Sequence, residues 1–474
     1  MRFRLTLAIV AFLEIARAQP QPTKISQARR TILPRRDVSK LSTDDPNIQA
    51  LRTAIARMQQ ITRDDPTDCR GWRYQAAIHG DVDEGSSKPV PWNQCQHGTY
   101  YFLPWHRMYV YYFEQLVQRL SGYTNFRMPY WNSTAAGGAA IPEYFRVPAG
   151  GTADPLQVAR DHQSVPDLTQ QLAQAFGAMD FANDNTPTTG CVSFGGHPGE
   201  PMHTGARSAS GTLEDGPHRA VHQTLGAKMA FPFSAAQDPI FFLHHSNIDR
   251  LWESWIRKGY GANPTNGEWL DRSFTFCEAP ADGSAGVPVT GRVREFLKPA
   301  DLGYRYDRLE RPKLTGPAPA CGGTTSFAEG TPDGPLIDPV TAIKLRLAAG
   351  ADAVPRGSKP TLRLLFRDMT WQGNVDARFE VRIGPADPNT KDAAVLLGDS
   401  HFYFFADPQH ELHAGEHSEE FAVPRKVWTW ATRSKSMEPL IVSLKRMPLA
   451  PDAADVFNAA SQPRIGSIQL MIRR

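Results

Sequence analysis

Asp238-Pro239-Ile240-Phe241-Phe242-Leu243-His244-His245-Ser246-Asn247-Ile248-Asp249-Arg250-Leu251-Trp252 is the stretch whose reading decides the fold. Its first half is an apolar, strand-like run. Its second half reads as an amphipathic helix over His245–Arg257, with two adjacent histidines at its mouth. Burying imidazole among such neighbours without a partner is costly, so the pair asks for something to bind. Asp249 lies one turn beyond His245, where a carboxylate can accept an imidazole N–H and orient the ring.

Working outward, Glu214-Asp215-Gly216-Pro217-His218-Arg219-Ala220-Val221-His222 opens a helix predicted to reach about Met229. His218 and His222 are four residues apart, which puts both rings on one helix face. Alone, such a pair also suits two solvated or capping histidines; a third donor from the His244–His245 pair makes it a metal triad. A second cluster reads Cys95-Gln96-His97-Gly98-Thr99-Tyr100-Tyr101-Phe102-Leu103-Pro104-Trp105-His106-Arg107, with His79 before it. A helix predicted over Arg70–Ile78 delivers His79 near its end, His97 falls on a loop, and His106 falls on a helix predicted from about Pro104 to Leu120. Each histidine taken singly also fits a satisfied core or surface residue. Two triads, each with helical support, point to two metals. All-imidazole ligation suits Cu, Zn, Fe or Ni. Carboxylates are absent from the clusters, which argues against most di-iron and dizinc hydrolytic sites. Three neutral imidazoles per metal support both Cu(I) and Cu(II), as two-electron chemistry with dioxygen requires.

The rest of the chain sets these clusters in a two-part architecture. At 474 residues it is too long for one small domain. Its net charge of +3 argues against a dedicated nucleic-acid binder, which needs a concentrated basic face. Arg2 and Arg4, the apolar run Leu5–Leu13 and Ala16-Arg17-Ala18 read as an export signal over residues 1–18, too short to span a bilayer. No other segment reads as a membrane anchor, so the expected location is periplasmic or secreted. Residues 19–46 read as a flexible N-terminal arm, and Asn47–Ile61 as a helix with Ile48, Leu51, Ile55 and Met58 on one face. The helical domain is expected over 47–311 and a Pro/Gly/Thr-rich linker over 312–340. Residues 341–474 alternate in short runs (Thr361–Phe366, Arg378–Ile383, Leu440–Leu444, Ser467–Ile472), as the strands of a small all-β sandwich do. The fold class is therefore mainly α, with an all-β domain behind it.

The phrases Cys95-x-His97-Gly98-Thr99, Phe102-Leu103-Pro104-Trp105-His106-Arg107, Pro129-Tyr130-Trp131-Asn132 and Asp238-Pro239-Ile240-Phe241-Phe242-Leu243-His244-His245-x-x-x-Asp249 resemble the type-3 copper family over about residues 70–258. That family includes tyrosinases, catechol oxidases, o-aminophenol oxidases and molluscan hemocyanins. The resemblance implies a central helical bundle holding two copper ions, the first on His79, His97 and His106 and the second on His218, His222 and His245, with His244 a neighbouring non-ligand. It implies dioxygen as co-substrate and small phenols as substrates. An o-diphenol leaves as an o-quinone, and a monophenol is first hydroxylated. Phe241 falls at the position that packs near the substrate ring, and the β domain resembles one that covers the site in several members.

In one position the chain departs from the pattern. Many tyrosinases carry Asn after the first ligand of the second copper, linked to a water that helps deprotonate monophenols. Here Arg219 stands there, and arginine cannot act as a base. Glu214 is left as a candidate to hold a water, and Arg219 as either an attractor of acidic substrates or a solvated helix residue. Monophenol hydroxylation is thereby in doubt, while diphenol oxidation is not. An o-aminophenol oxidase shares all these residues. An oxygen carrier needs a covered site and usually a large assembly. In fungal and molluscan relatives the cysteine of C-x-H bonds to the histidine ring, which implies a Cys95–His97 thioether. The remaining Cys69, Cys191, Cys277 and Cys321 then allow up to two disulfides in three connectivities.

Overall fold

The computed structural model describes residues 31–81, 91–151, 153–183, 192–201, 203, 210–313, 324–348, 361–370, 377–387, 394–401, 417–433, 436–448, 457 and 459–473. The expected export signal over residues 1–18, Cys191, Cys321 and residues 402–405 lie outside this set.

Helix α1 spans Pro46–Asp64: Asp45 caps it by accepting from the Asn47 N–H at 2.9 Å, and Pro46 pre-sets the first turn. Its face of Ile48, Leu51, Ala54, Ile55 and Met58 is buried against α3, Phe102–Ser121. Next in the chain after α1, α2 spans Trp72–His79 and packs against α1 and a short later helix. α3 stops at Gly122, whose φ of 78° is open to glycine at little cost. The last long helix, α7, spans Ile240–Arg257 and packs across α3; the Phe113 and Phe242 rings stack between them at 3.6 Å. Shorter helices α4 (Thr169–Gly177), α5 (Arg219–Leu225), α6 (Pro232–Ala235) and α8 (Gly267–Asp271) close the bundle. The apolar run before His244 is thus not a strand. Ile240–Leu243 form the first turn of α7, because both long helices are buried nearly all round and an all-apolar face suits a helix as well as a strand.

Short strands trim the helical domain: β1 (Leu33–Arg35), β2 (Ala139–Ala140), β3 (Ser164–Val165), β4 (Ser273–Glu278), β5 (Val287–Arg292) and β6 (Tyr304–Tyr306). β1 lies parallel to β6 with Arg35 opposite Tyr306, so the part of the N-terminal arm from residue 33 on is ordered structure rather than a flexible tether. The reason is Arg35. Its guanidinium is fully buried, bonds Glu114 at 2.9 Å and Asp249 at 3.3 Å, and lies 3.6 Å over the Tyr304 ring. Asp249 also takes Arg107 and the Tyr304 hydroxyl at 2.6 Å. Its carboxyl sits below the usual carboxylate range; burial alone pushes it up, and the two guanidiniums and two tyrosine hydroxyls outweigh that. Asp249 therefore does not orient an imidazole. Its hydrogen bonds all go to this charge cluster on the far side of α7.

The second domain is one antiparallel sheet in the order β11-β10-β13-β8-β7-β14-β9-β12, built from β7 (Thr324–Gly330), β8 (Val340–Leu347), β9 (Thr361–Met369), β10 (Ala377–Pro385), β11 (Val395–His401), β12 (His417–Val423), β13 (Leu440–Pro448) and β14 (Ser467–Arg473). The sheet bends at the short β7–β8 pairing until its edge strands β11 and β12 touch, giving the two-layered core expected of a sandwich. Helix α9, Lys426–Arg433, plugs it with Trp428 against Phe327. β7 occupies part of the expected 312–340 linker. Its Thr- and Gly-rich composition hid a strand that alternates only weakly.

Removing the Arg35 guanidinium (Arg35→Ala) leaves two buried carboxylates short of a partner. The expected cost is about 3–5 kcal/mol, read as a lower denaturation midpoint of the helical domain by tryptophan fluorescence.

Candidate metal centre

Seven imidazoles meet where α2, α3, α5 and α7 converge. His79 is the last residue of α2. The chain turns away at Gly80, where an added Cβ would stand 2.8 Å from the Pro232 carbonyl, so the end of α2 abuts α6. That same carbonyl accepts from His79 Nδ1 at 2.8 Å. His106 Nδ1 donates to the Phe102 carbonyl at 2.8 Å, His218 Nδ1 to Glu214 at 3.2 Å, and His222 Nδ1 to Met229 at 2.7 Å. These bonds place the proton on Nδ1 and leave Nε2 as the donor atom. His97, on its loop, has Nδ1 3.3 Å from the His203 carbonyl and 3.3 Å from Cys95 Sγ.

The rings form two facing groups. His79, His97 and His106 lie 5.4–5.6 Å apart between centroids. His218 and His222 lie 4.6 Å apart, with His245 at 5.1 and 5.7 Å from them. His245 also stacks on His106 at 4.2 Å and reaches His79 at 6.4 Å, so it faces the first group. His244 is as near to His218 and His222, at 5.4 and 5.1 Å, but on the side away from His106 and His79. Phe241 lies in the seam, 4.2 Å from His245 and 4.8 Å from His79.

Two features fit these rings to metal ions. The Nε2 atoms of His79, His106, His218 and His245 are buried without a hydrogen-bond partner, a costly arrangement unless a cation takes them up. Burial, reinforced by neighbouring imidazoles, holds the rings of both groups below the ordinary histidine range, so they are neutral donors at neutral pH. Burial brings His222 down to about 4.

Glu214 couples the two groups. It opens a π turn over Glu214–His218, widened where Pro217 has no N–H to give. Its buried carboxylate accepts the Gly98 N–H at 3.0 and 3.1 Å, tying the His97 loop to the helix that carries His218. Burial pushes this carboxyl up to about 8. Arg219 is not a solvated helix residue: its side chain is buried and ion-paired with Asp215 one turn away. Sequence reasoning missed three contributors. Phe102 packs on His106 at 4.6 Å and on His218 at 4.7 Å. His203 places Nδ1 3.2 Å from Cys95 Sγ. Gln223, beside His222, donates to the Ala377 carbonyl of the β domain at 3.4 Å. Of these, only Phe102 stood inside a motif that could have flagged it.

An all-histidine pair of triads in a dry helical bundle, backed by a β domain, is the architecture of dinuclear copper oxidoreductases. The family profile "Common central domain of tyrosinase" matches residues 69–188 and 155–258. Tyrosinase HcTyr1 of Hahella sp. (strain CCB-MM4) is 33% identical over 353 residues, 65% of this chain and 73% of that one. Aureusidin synthase of Antirrhinum majus is 31% identical over 306 residues, and this chain spans 52% of its length, about half, as with other plant relatives. A solved structure of latent aurone synthase from natural source shares the fold at a TM-score of 0.60 and 19% identity, over 96% of this chain and 92% of that one. The chain belongs to the tyrosinase family of type-3 copper proteins. It is an oxidoreductase whose cofactor is a pair of copper ions, and it oxidises phenols.

Phe241→Ala opens a cavity against four of the rings. It is expected to cost about 3–5 kcal/mol, measured as metal-free unfolding in urea.

Proposed function

We propose that this chain oxidises o-diphenols to o-quinones, with one copper on His79, His97 and His106 and the other on His218, His222 and His245. The observation that carries the reading is the pair of facing triads, buried together, in which the Nε2 atoms of His79, His106, His218 and His245 stand without a hydrogen-bond partner. When bound, the copper pair supplies dioxygen binding and the two-electron oxidation of the phenol. The chain's own residues do the rest. Backbone carbonyls hold the Nδ1 protons of His79, His106, His218 and His222 and fix those rings' direction, and Phe241 and Phe102 exclude water between the triads.

Diphenol oxidation is favoured over hydroxylation of monophenols because no free base stands beside His218. Arg219 cannot act as a base and is paired with Asp215, and the Glu214 carboxyl is engaged by the Gly98 N–H. Export is part of the same reading: the charged-then-apolar run over residues 1–18 supports it, and the Cys69–Cys277 disulfide suits an oxidising compartment. Among the described residues no helix is long and apolar enough to cross a membrane.

The β domain, in this reading, restrains the enzyme. It hydrogen-bonds Gln223 beside His222, and Gln174 of α4 donates to the Leu397 carbonyl of β11 at 3.3 Å. The aurone synthase that shares this two-domain fold is a latent form. The aromatic run 401–405 remains a candidate plug. His401 ends β11, and the other four residues lie outside the described set.

Copper analysis with oxygen uptake on tyrosine, catechol and o-aminophenol tests the activity. Catechol is expected to be the better substrate than tyrosine, and absence of copper-dependent uptake on all three would end the reading. His106→Ala and His218→Ala should each lower copper per chain towards half and abolish nearly all turnover. His244→Ala should keep more copper than His245→Ala, and the reverse order would move the ligand assignment to His244. Proteolysis within 312–323, followed by separation of the two parts, should raise activity on bulky phenols; unchanged activity counts against restraint. For the thioether, the Cys95 and His97 peptide of copper-loaded, reduced and alkylated protein should lack two hydrogens and refuse alkylation. A fully alkylated Cys95 in active enzyme rules the crosslink out.

A further inference from the structure

The ring of His222 takes its direction from a carbonyl that the chain must bring back to it. Its Nδ1 donates to Met229, seven residues on, across a turn that begins where α5 ends. Gly226 and Ala227 make that turn, with φ of 62° and 44°. Glycine adopts such a conformation freely, whereas alanine is strained there and stays only where its surroundings hold it. Asp161 does the holding. Its carboxylate accepts the Ala227 N–H at 2.8 Å, and its own N–H donates to the Leu225 carbonyl at 3.0 Å. A Cβ on Gly226 would collide with Asp161 Oδ2, so the carboxylate lies directly against the turn.

Asp161 is itself fixed by the residue before it. Arg160 is buried; its Nε and Nη2 donate to the two oxygens of the fully buried Asp238 at 2.7 and 2.6 Å, and its Nη1 donates to the Phe145 carbonyl at 2.8 Å. Asp238 also accepts the Ile240 N–H at 3.0 Å, the first N–H of α7. Two consecutive residues thus tie the end of α5, which carries His222, to the start of α7, which carries His245. Asp161, by contrast, is exposed. One hydrogen bond to an exposed carboxylate adds little to the stability of a whole domain. Its leverage is local, on where the Met229 carbonyl points.

We propose that Asp161 is a positioning residue for the second metal: by holding Ala227 in the left-handed turn, it aims the Met229 carbonyl at His222. That carbonyl keeps the proton on Nδ1 and leaves Nε2 as the donor, and the donor atoms of His218, His222 and His245 stand within 4.8 Å of one another. Without the carboxylate, Ala227 relaxes out of its strained conformation, the Met229 carbonyl turns away and the His222 ring loses its fixed direction. Loss of the hydrogen bond behind a metal-holding histidine weakens metal affinity about 10–100-fold, and Asp161 acts one bond further out, so about tenfold is expected at the second metal. No loss is expected at the first, whose histidines lean on other carbonyls. This inference rests on the copper assignment above.

The test follows the removal of copper by a chelator from the copper-loaded full chain, with ions counted per chain. Asp161→Ala should release one copper about tenfold faster than wild type and keep the other. After that release, carbethoxylation read by peptide mass spectrometry should reach His222 while His79 and His106 stay protected. The unfolding midpoint of the metal-free chain should remain near wild type. Asp161→Asn keeps an oxygen acceptor, and Ala227→Gly added to Asp161→Ala removes the strain; each should restore slow release. Wild-type release in Asp161→Ala, equal speeding at both sites, fast release that neither change mends, or a metal-free midpoint far below wild type would overturn the positioning role and leave the copper reading intact. A wild-type chain that binds no copper would overturn both.

Discussion

Neutral imidazoles held in a dry core are the constraint on which the rest of this protein depends. The seam between α3 and α7 is buried, so a ring there is shut off from bulk solvent that could satisfy its nitrogens. Backbone carbonyls take one nitrogen of His79, His106, His218 and His222, and burial keeps the rings from protonating. The second nitrogen of most of them points inward with no protein partner. Such a core carries unmet hydrogen-bonding capacity that a cation would take up, and it must be stiff enough to keep like dipoles together until that cation arrives.

The stiffness comes from opposite sides of the bundle. On the far side of α7, Asp249 gathers Arg35, Arg107, Tyr304 and Tyr306, so two carboxylates and two guanidiniums balance within the buried cluster that includes Glu114. This binds the N-terminal strand, both central helices and β6 into one unit. On the near side, Glu214 spans from the π turn to the His97 loop and makes the two triads move together. Positions that look like candidates for chemistry in the linear text thus hold the scaffold on which the chemistry depends.

The same α5 helix serves two domains. It carries His222 inward, just after His218 at the end of the π turn, and its Gln223 meets the β domain. The β domain is thus anchored one residue from His222, an arrangement that composition alone could not reveal.

Local pattern determined much of this protein. The H-x-x-x-H pair, the C-x-H loop, the helical spacing of α1, and the alternation in β9, β10, β13 and β14 are all short-range signals, because the helix and strand periods are properties of the backbone. The histidines that the fold brings together could be picked out from the text because His97, His106, His218, His222, His244 and His245 stand in short motifs, with His79 at the end of a predicted helix just before them. Tertiary structure alone decided what the carboxylates and arginines do. Asp249 at one turn from His245 is equally consistent with facing a ring or facing away, and only the arrival of Arg35 from 214 residues away settles it. Arg219 reads as exposed until Asp215 and the surrounding bundle bury it. The carbonyls of Pro232 and Met229 that aim His79 and His222 carry no side-chain signature at all, since every residue has one. Long-range electrostatics and backbone acceptors depend on where the chain comes back to, and that is a property of the folded whole.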